Sequence, residues 1–265
     1  MKFPKSTLAK RLGLARSTLY YKSKKKDADE EARTLIEEVM IGNPAYGHKR
    51  IATELGWNRK KVLRLMKKFG LEPRLRRGQK WQKKGDIGLE PASYPNLVKN
   101  WCPIAPDVVW FADFTYLKVR DSFLYVATVI DGYTKEVLGF AISKRHNRQL
   151  VKAATLDAIA YRKKLPQIFH SDQGSEYQSE EHLKLLEGMG VQVSMSEKSS
   201  PWQNGHQESF YSQFKLELGK LNHLSDGEIV EKIYQQIYYY NHLRIHTTLK
   251  MPPRKYYLNH MNKSV

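Results

Sequence analysis

The sequence predicts an α/β protein in which a mixed β-sheet is preceded by an all-α region of helix-turn-helix character. Before residue 73, apolar residues recur at the spacing of amphipathic helices. From residue 107, three segments rich in β-branched and aromatic residues are separated by short turns, which predicts an antiparallel meander. Helix-like and strand-like segments then alternate, and this order is typical of a mixed sheet flanked by helices.

The first helical block, residues 5–22, is predicted to be a short helix-turn-helix. Its apolar stripe ends before Gly13, and Ser17 or Thr18 can begin a second helix. Lysines crowd the end of the block. A small helical hairpin with a solvated basic face explains this stretch as well as DNA binding does.

A second helical block is predicted as helices over residues 30–40, 48–55 and 58–69. The last helix has an apolar face and a densely cationic face. The cationic face consists of Arg59, Lys60, Lys61, Arg64, Lys67 and Lys68. Such a helix behind a tight turn is a candidate for major-groove or phosphate contact, and its alternative is the solvated face of a packing helix.

The overall charge favours a polyanionic partner. The 265 residues include 45 Lys and Arg against 27 Asp and Glu, a formal net charge of +18. No segment approaches the roughly 18 apolar residues of a membrane-spanning helix, and the first residues lack the apolar core of a signal peptide. Cys102 is the only cysteine, which excludes a disulfide within the chain and zinc sites with two thiolates. We therefore expect a cytoplasmic protein that binds nucleic acid and no membrane.

The helical pattern fails after Pro73, where arginines and lysines mix with glycines and prolines. This basic segment is predicted to be a linker whose Arg76 and Arg77 are candidate DNA contacts, with Trp81 as a candidate stacking residue. The predicted organisation is a helical DNA-binding region at 1–72, the linker at 73–104, a catalytic core at 105–221 and a C-terminal helical extension at 222–265.

The predicted core order is β-β-β-α-β-α-β-α. The strands are predicted over 108–119, 122–130, 136–143, 167–170 and 191–195, and the helices over 148–163, 180–189, from about 206 onward, and 226–241. Asp113 then lies on the first strand, Asp172 follows the fourth, and Glu208 lies in the first turn of the helix after the fifth.

These three carboxylates lie beside large apolar residues, and buried carboxylates are rarely left without a partner. A shared divalent cation such as Mg²⁺ or Mn²⁺ would supply the counter-charge, and two such ions about 3.5–4 Å apart suit phosphoryl transfer. Without metal, two carboxylates at ~4 Å repel by about 4 kcal/mol at an effective dielectric near 20, which raises a pKa or separates the groups. Each acid taken alone is more often a surface charge, a cap or a turn residue.

The acids and their spacing resemble DDE transposases and retroviral-type integrases. Between Asp172 and Glu208 there are 208 − 172 − 1 = 35 residues. The segments 46–51, 62–66 and 240–246 are similar to those of second-frame products of IS-three family insertion sequences, and the resemblance covers about residues 45–257. One departure is the loop 202–207, where the family often has an Asp-Asn pair followed by small residues.

The resemblance implies a ribonuclease H-like core in which Asp113, Asp172 and Glu208 are the catalytic residues and the ligands of Mg²⁺ or Mn²⁺, as two ions. It implies DNA strand cleavage and strand transfer at insertion-sequence ends with no covalent protein–DNA intermediate. Lys215, two helical turns after Glu208, is expected to contact DNA near the active site. Arg244 is a further candidate DNA contact.

The same resemblance implies double-stranded DNA partners, both terminal inverted repeats and target DNA, and a homo-oligomer formed on DNA. It also implies an upstream-frame protein as partner or fusion, and a nucleoid-associated protein of the bacterial cytoplasm. Two alternatives remain open: a DNA-binding regulator with a catalytically silent core, and a nuclease acting on RNA–DNA hybrids. Asp131 is predicted to be a structural turn residue, and Glu176 to be a loop residue outside the site. His170 is predicted to pack at the end of its strand, and its alternative is a role beside the metal.

Overall fold

The computed structural model describes residues 5–15, 17, 25–75, 94–99, 102–197 and 205–263. The chain divides into two units, Met1–Pro73 and Arg74–Val265. Three sequence predictions fall outside the described residues: the second helix of the first block, the DNA contacts Arg76 and Arg77, and the stacking residue Trp81. No helix in the described ranges has the length and apolar content needed to cross a membrane.

The first unit is helical, as predicted. Its helices are α1 (Lys5–Arg11), α2 (Lys25–Gly42), α3 (His48–Glu54) and α4 (Arg59–Phe69). Helix α2 is longer than the predicted 30–40, whereas α4 agrees with its prediction because both ends have strong local signals. The Asn58 side chain accepts a hydrogen bond from the Lys60 N–H at its start, and Gly70 adopts a left-handed φ of 65° at its end.

The second unit is built on a five-stranded mixed sheet, which confirms the predicted architecture. The strands are β1 (Val109–Val119), β2 (Ser122–Asp131), β3 (Val137–Ser143), β4 (Ile168–Ser171) and β5 (Gln192–Met195). Their order is β3-β2-β1-β4-β5. The first three strands are antiparallel neighbours, and β4 and β5 are added in parallel on the other side of β1.

Helices cover both faces of this sheet. They are α5 (Arg148–Arg162), α6 (Glu180–Gly188), α7 (Gly205–Leu218), α8 (Asp226–His242) and α9 (Pro253–Met261). On one face, buried residues of α5 and α6 pack against Trp110 and Phe169. Helix α5 approaches β3 so closely that a Cβ on Gly139 would lie 2.2 Å from the Ala158 nitrogen. A glycine is therefore required at this crossing.

Helices α7 and α8 share the core on the other face. Phe214 of α7 and Ile233 of α8 belong to one buried cluster with Val126 of β2. Helix α8 begins with a reciprocal capping box between Ser225 and Glu228. The region predicted as a C-terminal extension therefore packs against the same sheet as α7.

The short pairing between β1 and β4 explains how two distant acids meet. The parallel register joins Phe111 to His170 as its last pair. Two residues further along each strand direction lie Asp113 and Asp172. Because parallel strands advance together, this register places the two carboxylates side by side at the carboxyl end of β4.

Candidate active site

Asp113 and Asp172 are half-buried neighbours, and each is fixed by one backbone donor. The Phe114 N–H donates to Asp113 Oδ1 at 2.8 Å, and the Gly174 N–H donates to Asp172 Oδ1 at 3.0 Å. Neither carboxylate forms an ion pair with any lysine or arginine that the structure describes. Both therefore lack the compensation that buried carboxylates usually have.

The pKa values of Asp113 and Asp172 are both raised, as expected for carboxylates without a nearby counter-charge. Burial, followed by the charge of Asp172 and a smaller contribution from Glu208, raises the pKa of Asp113 to about 8. Burial also raises the pKa of Asp172, and the nearby Glu176 adds to the increase. Lys215 opposes the shift at Asp113. Asp113 therefore keeps a proton at pH values at which a free carboxylic acid would be ionised.

Glu208 lies in the first turn of α7, as the sequence predicted, with an exposed side chain. Burial raises its pKa. The structure brings Asp113 and Asp172 together and leaves Glu208 on their periphery. Across the described residues, no three His, Cys, Asp or Glu side chains are grouped closely enough to hold a metal ion as they stand.

The donor chemistry of the three acids nevertheless fits a hard cation. All three offer carboxylate oxygens, the ligands that Mg²⁺ and Mn²⁺ prefer. The raised pKa of Asp113 marks unbalanced negative charge beside Asp172, and a divalent cation would balance it. Glu208 extends from the first helical turn, where side-chain rotation is sufficient to change its distance from the pair.

A buried polar network fixes α7 against the sheet beside the acids. The Gln207 amide donates to the Phe111 carbonyl at 2.6 Å and to the Thr128 carbonyl at 3.1 Å, and it accepts from Thr128 Oγ1 at 3.0 Å. The Tyr211 hydroxyl donates to the Asp113 carbonyl at 2.6 Å. Since Gln207 precedes Glu208, this network sets the position of the helix turn that bears Glu208 relative to Asp113.

We expect Gln207→Leu to destabilise the protein by about 2 kcal/mol, because it removes the side-chain donor to two buried carbonyls and one of the two hydrogen-bond partners of the Thr128 hydroxyl. Urea unfolding measures the change. The matched control is Gln235→Leu, which removes an exposed amide bonded only to Glu231 and should change stability by less than about 0.5 kcal/mol. Equal effects of the two substitutions would contradict a positioning role for Gln207.

Glu176 lies nearer to the site than the sequence predicted. Its side chain is only 10% exposed, and His146 Nδ1 lies 2.6 Å from its Oε1. Burial acts to raise the pKa of Glu176, but hydrogen bonds from its own backbone, His146 and Ser175 lower it overall. The only sequence signal was its position four residues after Asp172, and the partner 30 residues upstream was not predictable. Glu176 is therefore an ionised neighbour of Asp172.

The residues predicted to be structural are placed in that role. Asp131 is fully buried and accepts hydrogen bonds from the Asp107, Tyr133 and Thr134 N–H groups. His170 is fully buried, with Nδ1 2.9 Å from Ser194 Oγ. Burial lowers the pKa of His170 to about 4, so the imidazole is neutral near pH 7.

Lys215 lies on α7 within electrostatic reach of the acids. Its Nζ is 4.7 Å from the centre of the Tyr116 ring. Burial lowers the pKa of Lys215, and the charge of Asp113 partly reverses this shift. Lys215 therefore interacts with the charge of Asp113, and its contact with DNA stays a prediction.

The cationic face of α4 is partly used within its own unit. Arg64 and Lys68 both pair with Asp29, at 2.6 and 2.8 Å. Hydrogen bonds from these two cations hold the pKa of Asp29 well below its usual range. Arg64 thus forms a structural ion pair while its side chain stays 43% exposed, and its DNA contact stays a prediction. The exposed cations of this face that do not pair with Asp29 are Arg59, Lys60, Lys61 and Lys67.

Arg244 has a structural position in place of the predicted DNA contact. It is 2% exposed, and its Nε lies 2.8 Å from Glu217 Oε1. A DNA phosphate cannot reach a side chain that is enclosed in this way without displacing the ion pair. Sequence reasoning missed this because Glu217 lies on α7, 27 positions upstream.

Comparison with known proteins adds family information to this geometry. Two family models, both described as Integrase core domain, match residues 103–201 and 189–253. The transposase for insertion sequence element IS904 of Lactococcus lactis is 35% identical over 215 residues, covering 77% of this chain and 83% of that transposase. Transposase InsF of insertion sequence IS3A of Escherichia coli is 31% identical over 192 residues, covering 70% of this chain and 66% of that transposase.

A solved structure confirms the predicted ribonuclease H-like fold. The trimeric form of the HTLV-2 integrase catalytic core domain in complex with magnesium superposes with a TM-score of 0.50 and 17% identity. The match covers 58% of this chain and 98% of that domain. The sheet that carries Asp113 and Asp172 is therefore of the retroviral integrase type.

Proposed function

This chain belongs to the insertion-sequence transposases, and from that premise we propose that it cleaves DNA strands at the ends of its element and joins them to target DNA. The reaction is a metal-dependent phosphoryl transfer in which Asp113, Asp172 and Glu208 act as the catalytic carboxylates. The observation that carries this proposal is the pairing of Asp113 with Asp172 at the end of β4, with Glu208 on the adjoining helix turn.

The three carboxylates would hold Mg²⁺ or Mn²⁺, as two ions. When bound, the metal supplies charge stabilisation and activates the attacking oxygen in an in-line displacement. Asp113 and Asp172 provide the ligand oxygens at the sheet, and the Gln207 network holds the turn bearing Glu208 beside them. Lys215 supplies a positive charge for the phosphate of the bound strand.

DNA binding is proposed to extend beyond the acids. The exposed cations Arg59, Lys60, Lys61 and Lys67 on α4 fit phosphate contact along double-stranded DNA, both terminal repeats and target. The net charge of +18 supports this partner. Assembly of several copies on DNA and work in the bacterial cytoplasm, at the nucleoid, are part of the proposal because the relatives are bacterial transposases. The comparisons do not support an upstream-frame protein partner, and none is proposed.

The direct test incubates the purified protein with DNA carrying the terminal repeats of its element and follows nicking and strand joining. Products should require Mg²⁺ or Mn²⁺ and be absent in EDTA. Tight, salt-sensitive DNA binding with no metal-dependent product would overturn the proposal and favour a regulator with a silent core. Preferential cleavage of RNA–DNA hybrids would favour the nuclease alternative.

Without divalent metal, we expect the protein to lose stability as pH rises from about 4 to about 8. The pKa of Asp113, about 8 in the folded protein against 3.8 for the free group, means that the folded state binds more protons over this range. Thermal unfolding in EDTA at several pH values measures the slope. Asp113→Asn, which cannot ionise, should flatten it, and Mg²⁺ should stabilise the wild-type protein most at high pH. Identical slopes for both proteins would show that Asp113 is ionised throughout.

A further inference from the structure

Four residues form a patch on one face of the β1–β2 hairpin, close to Asp113. The antiparallel register pairs Tyr116 with Tyr125 and Lys118 with Phe123. Directly opposed residues project from the same side of an antiparallel pair, so these four residues are neighbours. We call Tyr116, Lys118, Phe123 and Tyr125 the hairpin patch.

Two aromatic rings of the hairpin patch are exposed to solvent. Tyr116 is 58% exposed and Phe123 is 45% exposed, and their rings meet edge to face with centres 5.4 Å apart. Single exposed apolar residues are common, but adjacent exposed aromatic rings indicate a contact surface. The patch is therefore a candidate binding site.

The charges around the hairpin patch indicate an anionic occupant. Lys118 is exposed within it, and Lys215 places its ammonium group 4.7 Å from the Tyr116 ring centre. Exposed aromatic faces flanked by cations are the combination that binds single-stranded nucleic acid, in which bases stack on rings and phosphates contact lysines. An apolar protein partner would gain nothing from these lysines.

The distance between the hairpin patch and Asp113 determines which nucleotides of a bound DNA strand can reach the patch. The side chains of Asp113 and Tyr116 project from opposite faces of the sheet because three residues separate them, and a DNA strand would pass between them around the edge of β1 beyond the last β4 pair at Phe111. Their separation along β1 is about 10 Å at ~3.3 Å per residue. Stacked DNA rises about 3.4 Å per nucleotide on each strand, so this distance corresponds to about three nucleotides. Lys215 links the two places, since it contacts Tyr116 and interacts with the charge of Asp113.

We propose that the hairpin patch binds unpaired bases of the DNA strand within about three nucleotides of the phosphate held at Asp113 and Asp172, with a base stacked on Tyr116. This inference rests on the proposed function, because it takes the acids as the place where the phosphate lies. It goes beyond that function by assigning a separate binding site to an unpaired segment of the strand.

The test uses the full chain in EDTA and a terminal-repeat duplex with a three-nucleotide single-stranded overhang that carries 2-aminopurine. Stacking on Tyr116 should quench the fluorescence of the 2-aminopurine, and Tyr116→Leu should remove the quenching and weaken overhang binding about tenfold. Binding of the blunt duplex should change less than twofold. Tyr116→Trp should restore quenching because it restores an aromatic face.

The matched control is Tyr234→Leu. Tyr234 on α8 is 57% exposed and meets Phe140 edge to face at 4.6 Å, so it has the same exposure and a similar aromatic neighbour elsewhere. This variant should bind and quench the overhang like the wild-type protein. If Tyr116→Leu leaves quenching intact while the sedimentation mass of the protein changes, the patch joins copies of the chain and the inference is overturned.

The outcomes also separate this inference from the proposed function. Quenching that depends on Tyr116, together with no metal-dependent cleavage, would support the binding site and overturn the proposed chemistry. Metal-dependent cleavage together with Tyr116-independent quenching would overturn the binding site and leave the proposed chemistry in place.

Discussion

Asp113→Asn is expected to lower the rate of metal-dependent strand nicking and joining by about 10³-fold or more. Metal-bound charge stabilisation is worth several kcal/mol, and about 4 kcal/mol corresponds to that factor. The asparagine oxygen can still accept from the Phe114 N–H, so the backbone geometry at this point of β1 should persist. The loss would therefore report the missing charge and not a distorted strand.

Product formation with radiolabelled or fluorescent terminal-repeat DNA measures this effect, with DNA binding followed in parallel. Glu180→Gln is the matched control, because its side chain is 80% exposed on α6 and pairs only with Lys184. The control should retain activity, and both variants should retain DNA binding. Full activity of Asp113→Asn would overturn the metal-site assignment.

Glu208→Gln is the companion experiment that decides whether the third acid belongs to the site. Glu208 has an exposed side chain and affects Asp113 less than Asp172 does. A loss comparable to that of Asp113→Asn would mean that Glu208 joins the pair when metal and DNA bind. Retained activity would restrict the catalytic set to Asp113 and Asp172.

Arg162→Leu is expected to reduce the free energy of unfolding by about 3–5 kcal/mol, since it removes the closest cation from two buried carboxylates and leaves Glu136 with only the more distant Arg254. Arg162 is 1% exposed in its side chain, with Nε 2.8 Å from Asp107 Oδ1 and Nη1 3.0 Å from the fully buried Glu136. Its guanidinium also lies 3.8 Å from the centre of the Tyr257 ring. The Arg162 side chain therefore links three segments: the residues just before β1, the turn between β2 and β3, and helix α9.

Chemical unfolding at neutral pH measures this loss. The control is Lys144→Met, which breaks an ion pair with Asp226 whose side chains are 75% and 59% exposed, and it should cost less than about 1 kcal/mol. The double variant Glu136→Gln/Arg162→Leu should be more stable than Arg162→Leu, because it removes one of the two buried charges that have lost Arg162. A loss for Arg162→Leu as small as that of the control would contradict this account of the buried network.

The pairing of two acids was accessible from sequence because local signals located both strands. A β-branched and aromatic run around Asp113 and an apolar run ending at Asp172 identified β1 and β4, and the order of elements identified a mixed sheet. The helix start before Glu208 was predicted to within one residue. What these signals could not provide is the distance of Glu208 from the pair, because it depends on how α7 lies on the sheet.

The buried polar residues show the same limit. Gln207 and Tyr211 looked like ordinary residues of an amphipathic helix, yet they bond to strands 79 to 98 positions away. In the sequence Arg244 resembles a surface cation, but in the structure its side chain forms a buried ion pair with Glu217. Hydrogen-bond and ion-pair partners that are tens of residues apart produce no periodic pattern in the sequence. The spacing of residue types therefore cannot identify them.

The sequence by itself determined the helical first unit, the strand order of the meander, the basic character that favours a polyanionic partner, and the positions of Asp113 on the first strand and Asp172 after the fourth. Each of these follows from residue type and short-range periodicity, which act within a few positions along the chain. Only the tertiary structure decided which cations are exposed to solvent, which acidic side chains lie close together, and which aromatic rings are exposed to solvent. Those properties depend on burial and on contacts between distant segments, and packing alone sets both.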